Sequence, residues 1–399
     1  MTKVRLSAAI GMIVSMGAGS ALAQNQAASV ELGNGIEFTP TVDFLMQSDD
    51  NVLYANDEQI DSLVAVLNPS FQLSAENGVS AYKLTYSLRK GEYFDSDEDN
   101  YLDHELDGEA KWELNSRNRV TLAGSYLDGH ESRGTGYSQG FGILLDEPTG
   151  FKDKDVHGIY SFGTDGAKGR IDVTAGTSER DYDGGSITLD RDRDSDYAKL
   201  GFFYNAGGKT ELLTEIVRRD VDYAFTPAGA ESRNSTETDV LVGITWEGTA
   251  KTTGTIKVGS RQKKFESAAR EDFTGPRWEV GIRWMPRSYS AFDLITERRS
   301  DEAYGVGDFI DVQRYTLAWT HAWMDRLTSE VSFNRSNNDY EGLDRVEEVT
   351  TSSLSFNYQM QRWLSLRAGV NVSEQDSSGV DARFEYDKNL TFVGFQATL

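Results

Sequence analysis

The residues of this chain that could carry chemistry are few and lie far apart. There are four His and no Cys, so thiolate nucleophiles and Cys-based metal sites are excluded. A catalytic His needs a nearby nucleophile and an acidic partner that orients it. His321 shares an alternating face with Leu317, Trp319 and Trp323, and the sequence places no Ser or Asp to complete a triad with it. We therefore predict a protein that is not an enzyme and has no catalytic residues.

Three segments begin like ligand-binding motifs but do not keep the required spacing. Residues 95–100 start like an EF-hand calcium loop, which needs Gly at its sixth position and Glu at its twelfth. This chain has Asn100 and Leu106 at those positions. The alternating Asp and Arg of residues 190–196 fail the same test, and the Gly-rich segment 134–140 lacks the spacing of a phosphate loop. The sequence predicts neither a metal site nor a cofactor site.

Charged residues of both signs recur on one face of the alternating segments. Mixed charges on the inside of a wall of strands can pair across neighbouring strands. They could hold ions or a hydrated polar polymer, or they could only stabilise the wall, and the sequence does not separate these readings. The candidate residues that line the interior are Arg89, Glu109, Glu113, Asp172, Arg180, Glu279, Arg283, Arg314, Glu330 and Arg367.

Such residues need a scaffold of strands, which residues 79–114 show most clearly. Successive residues of a strand point to opposite faces. From Tyr82 onward an apolar face alternates with a polar one, and the alternation resumes after the acidic loop 94–100. Each arm is long enough to cross a bilayer at a tilt, which needs roughly 9–11 residues. We predict that the polar faces meet water and that lipid covers the apolar face of Tyr82, Leu84, Tyr86 and Leu88.

The N-terminus indicates export from the cytoplasm. Lys3 and Arg5 precede an apolar stretch, residues 6–22, which ends in a small-residue cleavage site. We predict a signal peptide at residues 1–23 and a single outer-membrane barrel domain at residues 24–399. The net charge of −24 argues against nucleic acid as a partner.

The alternating pattern continues to the C-terminus with connections of two kinds. Short turns such as 76–78 and 115–118 alternate with longer polar loops such as 94–100 and 131–152. Outer-membrane barrels have short turns at one end, long loops at the other and an even number of strands. A soluble β-helix or propeller would need a sequence repeat of fixed period, which the chain lacks. We predict an all-β, transmembrane, antiparallel up-and-down outer-membrane β-barrel of about 18 strands, within a range of about 16–18.

The loop at residues 131–152 carries an apolar cluster that is unusual for an exposed loop. We predict that it folds into or over the lumen as a lid. A surface loop that packs only on itself would explain the same composition, so both readings stay open. The candidate lid residues are Phe141, Ile143, Leu144 and Leu145.

The N-terminal third of the chain also resembles a known family. The motifs that carry the resemblance are Ser-Asp-Asp-Asn-Val at 48–52, Asn-Pro-Ser at 68–70, Tyr-Ser-Leu-Arg at 86–89 with Tyr93, and Asp-Asn-Tyr-Leu-Asp-His at 99–104. They resemble the β-barrel porin type 2 family of Gram-negative outer membranes. Members of that family are often associated with exopolysaccharide synthesis and secretion, so the resemblance implies a barrel that exports a polymer.

We therefore predict that an exopolysaccharide, or another hydrated polar solute, passes through a water-filled charged tunnel by weak, multi-site contacts. Two alternatives remain: a general diffusion porin for small polar solutes, and a structural or adhesive barrel with a closed lumen. The predicted partners are outer-membrane lipid and lipopolysaccharide, the polysaccharide or small polar solute in the lumen, and periplasmic export components.

Overall fold

The computed structural model describes residues 29–164, 166–247, 251–379 and 382–398. The predicted signal peptide, residues 1–23, lies outside this range. Strands and short 3-10 turns make up the regular structure of these described residues. Across the described ranges, the structure contains no helix with the length and apolar character needed to span a membrane.

The strands follow the period-two pattern of the sequence. The long strands have 12 to 16 residues, which exceeds the roughly 9–11 residues that a tilted crossing of a bilayer needs. They end where Gly, Asn, Asp and Ser supply turns. The strands are β1 Val30–Gly33, β2 Ile36–Asp49, β3 Ser62–Asn77, β4 Ser80–Tyr93, β5 Tyr101–Asn115, β6 Asn118–Glu131, β7 Thr149–Phe162, β8 Gly169–Tyr182, β9 Arg193–Gly207, β10 Thr210–Tyr223, β11 Ser235–Trp246, β12 Thr252–Phe265, β13 Phe273–Arg287, β14 Ser290–Glu302, β15 Phe309–Met324, β16 Leu327–Glu341, β17 Val346–Gln361, β18 Leu364–Ser378 and β19 Tyr386–Thr398.

The long strands form one closed wall. Each strand from β2 to β18 pairs antiparallel with the strand that follows it in the chain. β19 pairs in turn with β2, from Leu390↔Asp49 to Thr398↔Thr41. The predicted antiparallel up-and-down barrel and its count of 18 strands are therefore confirmed. Closure matters because the backbone N–H and C=O groups of an open sheet edge would have no hydrogen-bond partners inside a membrane.

Ion pairs reinforce the seam between β19 and β2. Lys388 Nζ lies 2.7 Å from Asp49 Oδ2 and donates to the carbonyl oxygen of Asn51 at 2.6 Å. Further from the loops, Arg367 of β18 reaches over β19 to Asp43 of β2. The short strand β1, which the sequence analysis missed, pairs with the first residues of β2 on the edge away from β3.

The outer face of the wall is apolar. Its large side chains are exposed on the isolated chain, as a face that meets lipid requires. Near the turns, His321 lies in an aromatic cluster, with its ring centroid 4.5 Å from that of Trp323 and 5.3 Å from that of Trp319. Such rings form the girdle at the membrane interface. Exposed outward residues include Leu63, Leu67, Phe71, Leu84, Leu106, Leu122, Val173, Leu200, Leu212, Val242, Leu294, Leu317, Phe333, Leu354, Val372 and Val393.

The connections between strands differ at the two ends of the barrel. Short turns join the strands at one end, where β1 also lies, and longer loops join them at the other. In outer-membrane barrels the end with the longer loops faces the outside of the cell. The loops are L1 (residues 50–61), L2 (94–100), L3 (132–148), L4 (183–192), L5 (224–234), L6 (266–272), L7 (303–308), L8 (342–345) and L9 (described at 379 and 382–385).

The upper parts of β14 and β15 leave the wall and bend into the barrel. β13 and β14 pair only as far up as Trp278↔Arg298, whereas β14 and β15 stay paired to their upper ends. Phe309 has the parity that faces outward lower in β15. Its ring nevertheless packs 5.0 Å from that of Phe273 and 6.4 Å from that of Phe265, both on the inner face.

This inward-bent segment, residues 299–312, is packed on both sides. Against the wall, the buried Lys263 Nζ lies 2.7 Å from Glu302 Oε1. On the opposite side, Ile310, Val312 and Tyr340 form an apolar cluster. The segment therefore narrows the loop end of the barrel from the side of β14–β16.

Candidate functional site

The register places the candidate interior residues on the inner face of the wall. They lie on β4, β5, β8, β13, β15, β16 and β18, spread around the circumference, so the structure does not gather them into one cluster. A neighbouring charged, polar or aromatic group accompanies each of them. Arg89 lies 5.8 Å from the Tyr101 ring centroid, and Glu113 is opposite Arg119 in the register. Glu330 accepts a hydrogen bond from Thr320 at 3.4 Å. The ion pairs are Glu109–Lys111 at 2.7 Å, Asp172–Arg170 at 3.2 Å, Glu279–Lys257 at 3.2 Å, Arg283–Asp293 at 3.6 Å, Arg314–Glu297 at 3.7 Å, Arg180–Asp153 and Arg367–Asp43.

A ladder of alternating charges runs along the inner face from β10 to β13. Lys257 Nζ lies between two carboxylates, 2.7 Å from Glu215 and 3.2 Å from Glu279. In the next tier, Arg261 Nη2 lies 2.6 Å from Asp239 Oδ2. Because these cations and anions pair with one another, this part of the wall largely neutralises its own charge.

The inner face of β15–β18 is built differently. Between Arg314, Glu330 and Arg367 the inward positions are dominated by Ser, Thr and Asn. Hydroxyl and amide groups both donate and accept hydrogen bonds, so this surface suits an uncharged, hydroxyl-rich ligand. We call it the hydroxyl–amide sector; it comprises Thr316, Thr320, Ser332, Asn334, Ser336, Thr351, Ser353, Ser355, Asn357, Asn371 and Ser373.

Loop L3 is anchored at its base by a buried ion pair. Arg133 Nη2 lies 2.6 Å from Asp99 Oδ2 of L2, and Arg133 Nη1 donates to the carbonyl oxygen of Leu145 at 2.9 Å. The hydrogen bond to Asp99 raises the pKa of the Arg133 guanidinium above its ordinary value. Gly134, at φ +82°, packs directly on L1: a Cβ at this position would lie 1.6 Å from the carbonyl oxygen of Leu53, so no larger residue fits. L3 therefore starts from a rigid base.

The tip of L3 reaches the far wall. Gln139 Nε2 donates to Glu347 Oε1 of β17 at 2.9 Å, and Arg345 Nη2 of L8 donates to Gln139 Oε1 at 2.6 Å. Around the wall, β17 is seven strands from β6 in one direction (β5, β4, β3, β2, β19, β18, β17) and ten from β7 in the other (β8 to β17). L3 therefore spans the loop end of the barrel from one side to the other.

The candidate lid residues lie in the second half of L3. The Phe141 ring packs edge-on against Phe384 of L9, with 6.3 Å between centroids. Ile143 is 52% exposed and Leu144 is 77% exposed, whereas Leu145 is half-buried. The structure thus packs Phe141 against a distant loop and leaves two apolar side chains open to solvent.

A buried cation of L4 bonds to the loop ends of β6 and β8 and lies close to aromatic rings of L3 and L7. Arg191 of L4 is 1% exposed, and its Nη2 donates to Glu131 Oε1 at 2.6 Å and to Tyr182 Oη at 2.7 Å. Its guanidinium carbon lies 3.9 Å from the Tyr182 ring centroid, with Tyr137 and Tyr304 within 6.0 Å. Burial holds the pKa of the Tyr304 hydroxyl above its usual range.

An acidic recess of about 400 Å³ opens beside L2 and L3. Asp97, Glu98, Asp146 and Glu147 line it, together with Asp103. In the part of the chain that the structure describes, no group of three or more His, Asp or Glu side chains is arranged to hold a metal ion.

The sequence analysis missed the contacts that fix the loops. Arg133, Gln139, Arg191 and Arg345 lie in loops without periodicity, and their partners are far away along the chain. A single Arg inside a loop otherwise rich in Gly or Asp was the only local signal. That signal marks a cation that needs a partner and does not say which partner it has.

A closed antiparallel barrel with an apolar outer face and a polar, charged inner face is a porin-like outer-membrane β-barrel. The chain belongs to the family described as Putative beta-barrel porin 2, whose model matches residues 35–399. The predicted family and the outer-membrane location are thereby confirmed. No curated protein is significantly similar to the chain in sequence.

A solved outer-membrane barrel, an iron transporter, shares the fold at low sequence identity. The FrpB iron transporter of Neisseria meningitidis (F3-3 variant) superposes with a TM-score of 0.52 at 10% identity over 90% of this chain and 66% of the transporter. OpdQ of Pseudomonas aeruginosa superposes with a TM-score of 0.49 at 12% identity over 92% of this chain and 100% of OpdQ. This chain spans just under two thirds of the length of the iron transporter.

Proposed function

We propose that this barrel is a non-enzymatic, passive pore that exports an exopolysaccharide across the outer membrane. The observation that carries the proposal is the hydroxyl–amide sector. Its Ser, Thr and Asn side chains can replace water around sugar hydroxyls with weak bonds that exchange easily. Conduction needs contacts of this kind, favourable enough for entry and weak enough for release.

The charge ladder on β10–β13, separated from the hydroxyl–amide sector only by β14, supports the same proposal. Lys257 and Arg261 are held by carboxylates, so they offer few free charges to trap a moving chain. An uncharged or weakly charged polymer would pass this wall without strong attraction. In this proposal, periplasmic export components deliver the polymer at the turn end, and lipid and lipopolysaccharide surround the outer face.

L3 acts as the lid of the pore in this proposal. Its base is fixed by the buried pair of Arg133 with Asp99, whereas its tip is held by Gln139 through bonds that include a neutral amide. Bonds to a neutral amide are weaker than a buried ion pair in mutational terms. The tip therefore releases first, and L3 swings away from the β17 side when polymer enters.

A general diffusion porin for small polar solutes is the second candidate function. The span of L3 across the loop end favours this function. A loop held in this position obstructs the passage of a polymer chain more than the passage of small molecules. The two functions differ in what crosses while L3 stays in place.

The test compares the full-length chain with a variant in which residues 134–147 are replaced by a short Gly-Ser linker. In planar bilayers we expect the variant to conduct several-fold more current than the wild type. A similar replacement of residues 226–230 in L5 is the matched control and should leave the current unchanged. In cells, loss of the barrel should abolish secreted polysaccharide while small-solute uptake continues.

Three results would contradict parts of this proposal. Equal conductance of the wild type and the L3 variant would show that L3 is not a lid. Normal polysaccharide secretion with reduced small-solute uptake would favour the diffusion porin. Absence of current from every variant would indicate a closed, structural barrel.

A further inference from the structure

One row of paired residues crosses the inner face of four neighbouring strands below the loops. In the register, His157 of β7 is opposite Gly176 of β8, Gly176 is opposite Tyr197 of β9, and Tyr197 is opposite Arg219 of β10. We call these residues the Tyr197 row. Gly176, Tyr197 and Arg219 lie four to six residues from the loop ends of β8, β9 and β10, and His157 lies eight residues from the loop end of β7. The row is therefore below the mouth of the barrel, and the parity of its residues places it on the inner face.

The glycine in this row makes room for an aromatic ring. A Cβ on Gly176 would lie 2.6 Å from both Cζ and Oη of Tyr197. The phenol end of Tyr197 therefore rests directly on the backbone of β8. The half-buried ring has its other side toward the interior of the barrel.

The polar groups of the row are fixed by one carboxylate. Tyr197 Oη donates to Asp155 Oδ2 at 2.8 Å, and His157 Nδ1 lies 2.7 Å from Asp155 Oδ1. Both oxygens of Asp155 are thus engaged, and the two rings are held in place. This arrangement leaves His157 Nε2 as a polar atom that can bind a ligand.

Arg219 supplies a second group for a ligand. Its side chain is exposed, and its guanidinium carbon lies 5.8 Å from the Tyr197 ring centroid. The residue opposite it on β11, Glu237, lies 3.3 Å from Arg261 Nε. Within the described ranges, the structure shows no carboxylate within 4.0 Å of the Arg219 guanidinium. Its donors are therefore directed at water and at whatever occupies the lumen.

A second aromatic ring on β9 has the same kind of glycine contact, but an arginine covers its face. Phe203 also faces inward, and its ring lies 2.9 Å from the place of a Cβ on Gly201. The guanidinium carbon of Arg170 lies 4.1 Å from the Phe203 centroid, which is direct stacking. Arg170 thus covers one face of the Phe203 ring, whereas the more distant Arg219, at 5.8 Å, leaves more of the Tyr197 ring uncovered.

We propose that the Tyr197 row is a binding subsite for one sugar unit of a saccharide in the lumen. The apolar C–H face of the sugar ring packs on Tyr197, and its oxygens accept hydrogen bonds from Arg219 and pair with His157 Nε2. An apolar platform with a few fixed polar groups is how proteins hold small polar ligands. This inference rests on the proposed function, since it names where the transported saccharide is held.

The experiment measures binding apart from transport. The full-length protein in detergent micelles is titrated calorimetrically with maltohexaose and, separately, with a hexamer of galacturonic acid. We expect Tyr197→Leu to weaken binding of both probes about tenfold and Tyr197→Phe to stay within about twofold, because Phe keeps the ring. Arg219→Gln should weaken binding of the acidic probe more than that of maltohexaose.

Phe203→Leu is the matched control, because it also removes an aromatic ring of β9 that faces inward and covers a glycine, in this case Gly201. Resistance to heat unfolding in micelles checks that each variant is folded. Unchanged affinity in Tyr197→Leu, an equal loss in Phe203→Leu, or no binding of either probe to the wild type would overturn the subsite. Bilayer conductance tests the pore separately: a protein that binds through Tyr197 but carries no current keeps the subsite and loses the proposed function.

Discussion

Arg133 anchors the base of L3. Its guanidinium bonds to Asp99, to Ser96 and to the carbonyl oxygen of Leu145. Both side chains of the ion pair are almost fully buried, at 6% and 3% exposed. Removing one member of a buried pair leaves the other charge without compensation, at a cost of about 3–5 kcal/mol.

We therefore expect Arg133→Gln to release L3 from its base. Hydrogen exchange of residues 134–147, followed by mass spectrometry, should become at least tenfold faster, because a loss of that size populates the open loop. Lys152→Gln is the control: its pair with Asp183 lies on the surface, where ion pairs contribute little. Equal exchange in both variants would show that Arg133 is not the anchor.

Tyr54 gives the loop end a dependence on alkaline pH. It lies in L1 beside Tyr386, with 5.2 Å between ring centroids. Burial, with a contribution from Asp49, raises the pKa of Tyr54 from 10.0 to about 12. The folded protein keeps this proton where the unfolded chain has lost it. The contribution of Tyr54 to stability is therefore complete below about pH 10 and is lost as pH rises through about 12.

The measurement is the ultraviolet absorbance of tyrosinate during an alkaline titration. The difference between wild type and Tyr54→Phe should titrate with a midpoint near 12. Far-ultraviolet circular dichroism at each pH confirms that the barrel stays folded. A difference curve centred near 10.0 would mean that Tyr54 is open to solvent.

The strands and the faces of their side chains could largely be predicted from the sequence. Alternation with a period of two determines which residues form strands and which face each side chain takes, so the inner-face positions of Arg89, Arg283 and Arg367 follow from parity. That reasoning assumes a strand stays in the wall along its whole length. The inward bend of residues 299–312 breaks the assumption, because Phe309 keeps its outward parity while packing on the inner face. Nothing local in the sequence marks where β13 and β14 part.

The bend depends on apolar packing at its end, so Phe309→Ala should loosen it. Phe309 is 1% exposed, and Phe→Ala in a core costs about 3–5 kcal/mol. We expect faster hydrogen exchange in residues 299–312 and a larger single-channel current, since the segment narrows the loop end. Val306→Ala, at an exposed position in L7, should change neither. An unchanged current in Phe309→Ala would mean that the bend does not limit flow.

For the whole molecule, the barrel was predictable because its rules are global. Strand number, closure, alternation and the split between turns and loops all point to the same architecture. The site was only partly predictable. Inner-face charges follow from parity, but the bonds of Gln139 to Glu347 and Arg345 join segments about half the chain apart. Tyr197 was missed because its open ring depends on Gly176, which is adjacent in the sheet and not in the sequence.

The orientation of the wall predicts opposite outcomes for two neighbouring substitutions. Phe333 faces outward on β16, whereas Asn334 faces inward and accepts from Thr316 Oγ1 at 2.6 Å. Phe333→Arg should destabilise the barrel by about 2–4 kcal/mol, as a charge on the lipid face does. Asn334→Arg should fold normally and shift the reversal potential toward anions. Urea unfolding in lipid vesicles and bilayer recordings measure the two effects, and a reversed outcome would invert the assigned faces.

The seam between β2 and β19 has a consequence for how the protein forms. Leu390↔Asp49 and Lys388–Asp49 join residues near opposite ends of the chain. Contacts between such distant residues form slowly, because the entropy cost of closing a long loop comes before the contacts stabilise the structure. Every other wall pairing joins consecutive strands, so the hairpins can assemble in any order while the seam waits for the final strand. A wall that still lacks β19 would therefore have two open edges, on β2 and on β18, whose backbone N–H and C=O groups have no partners inside a membrane.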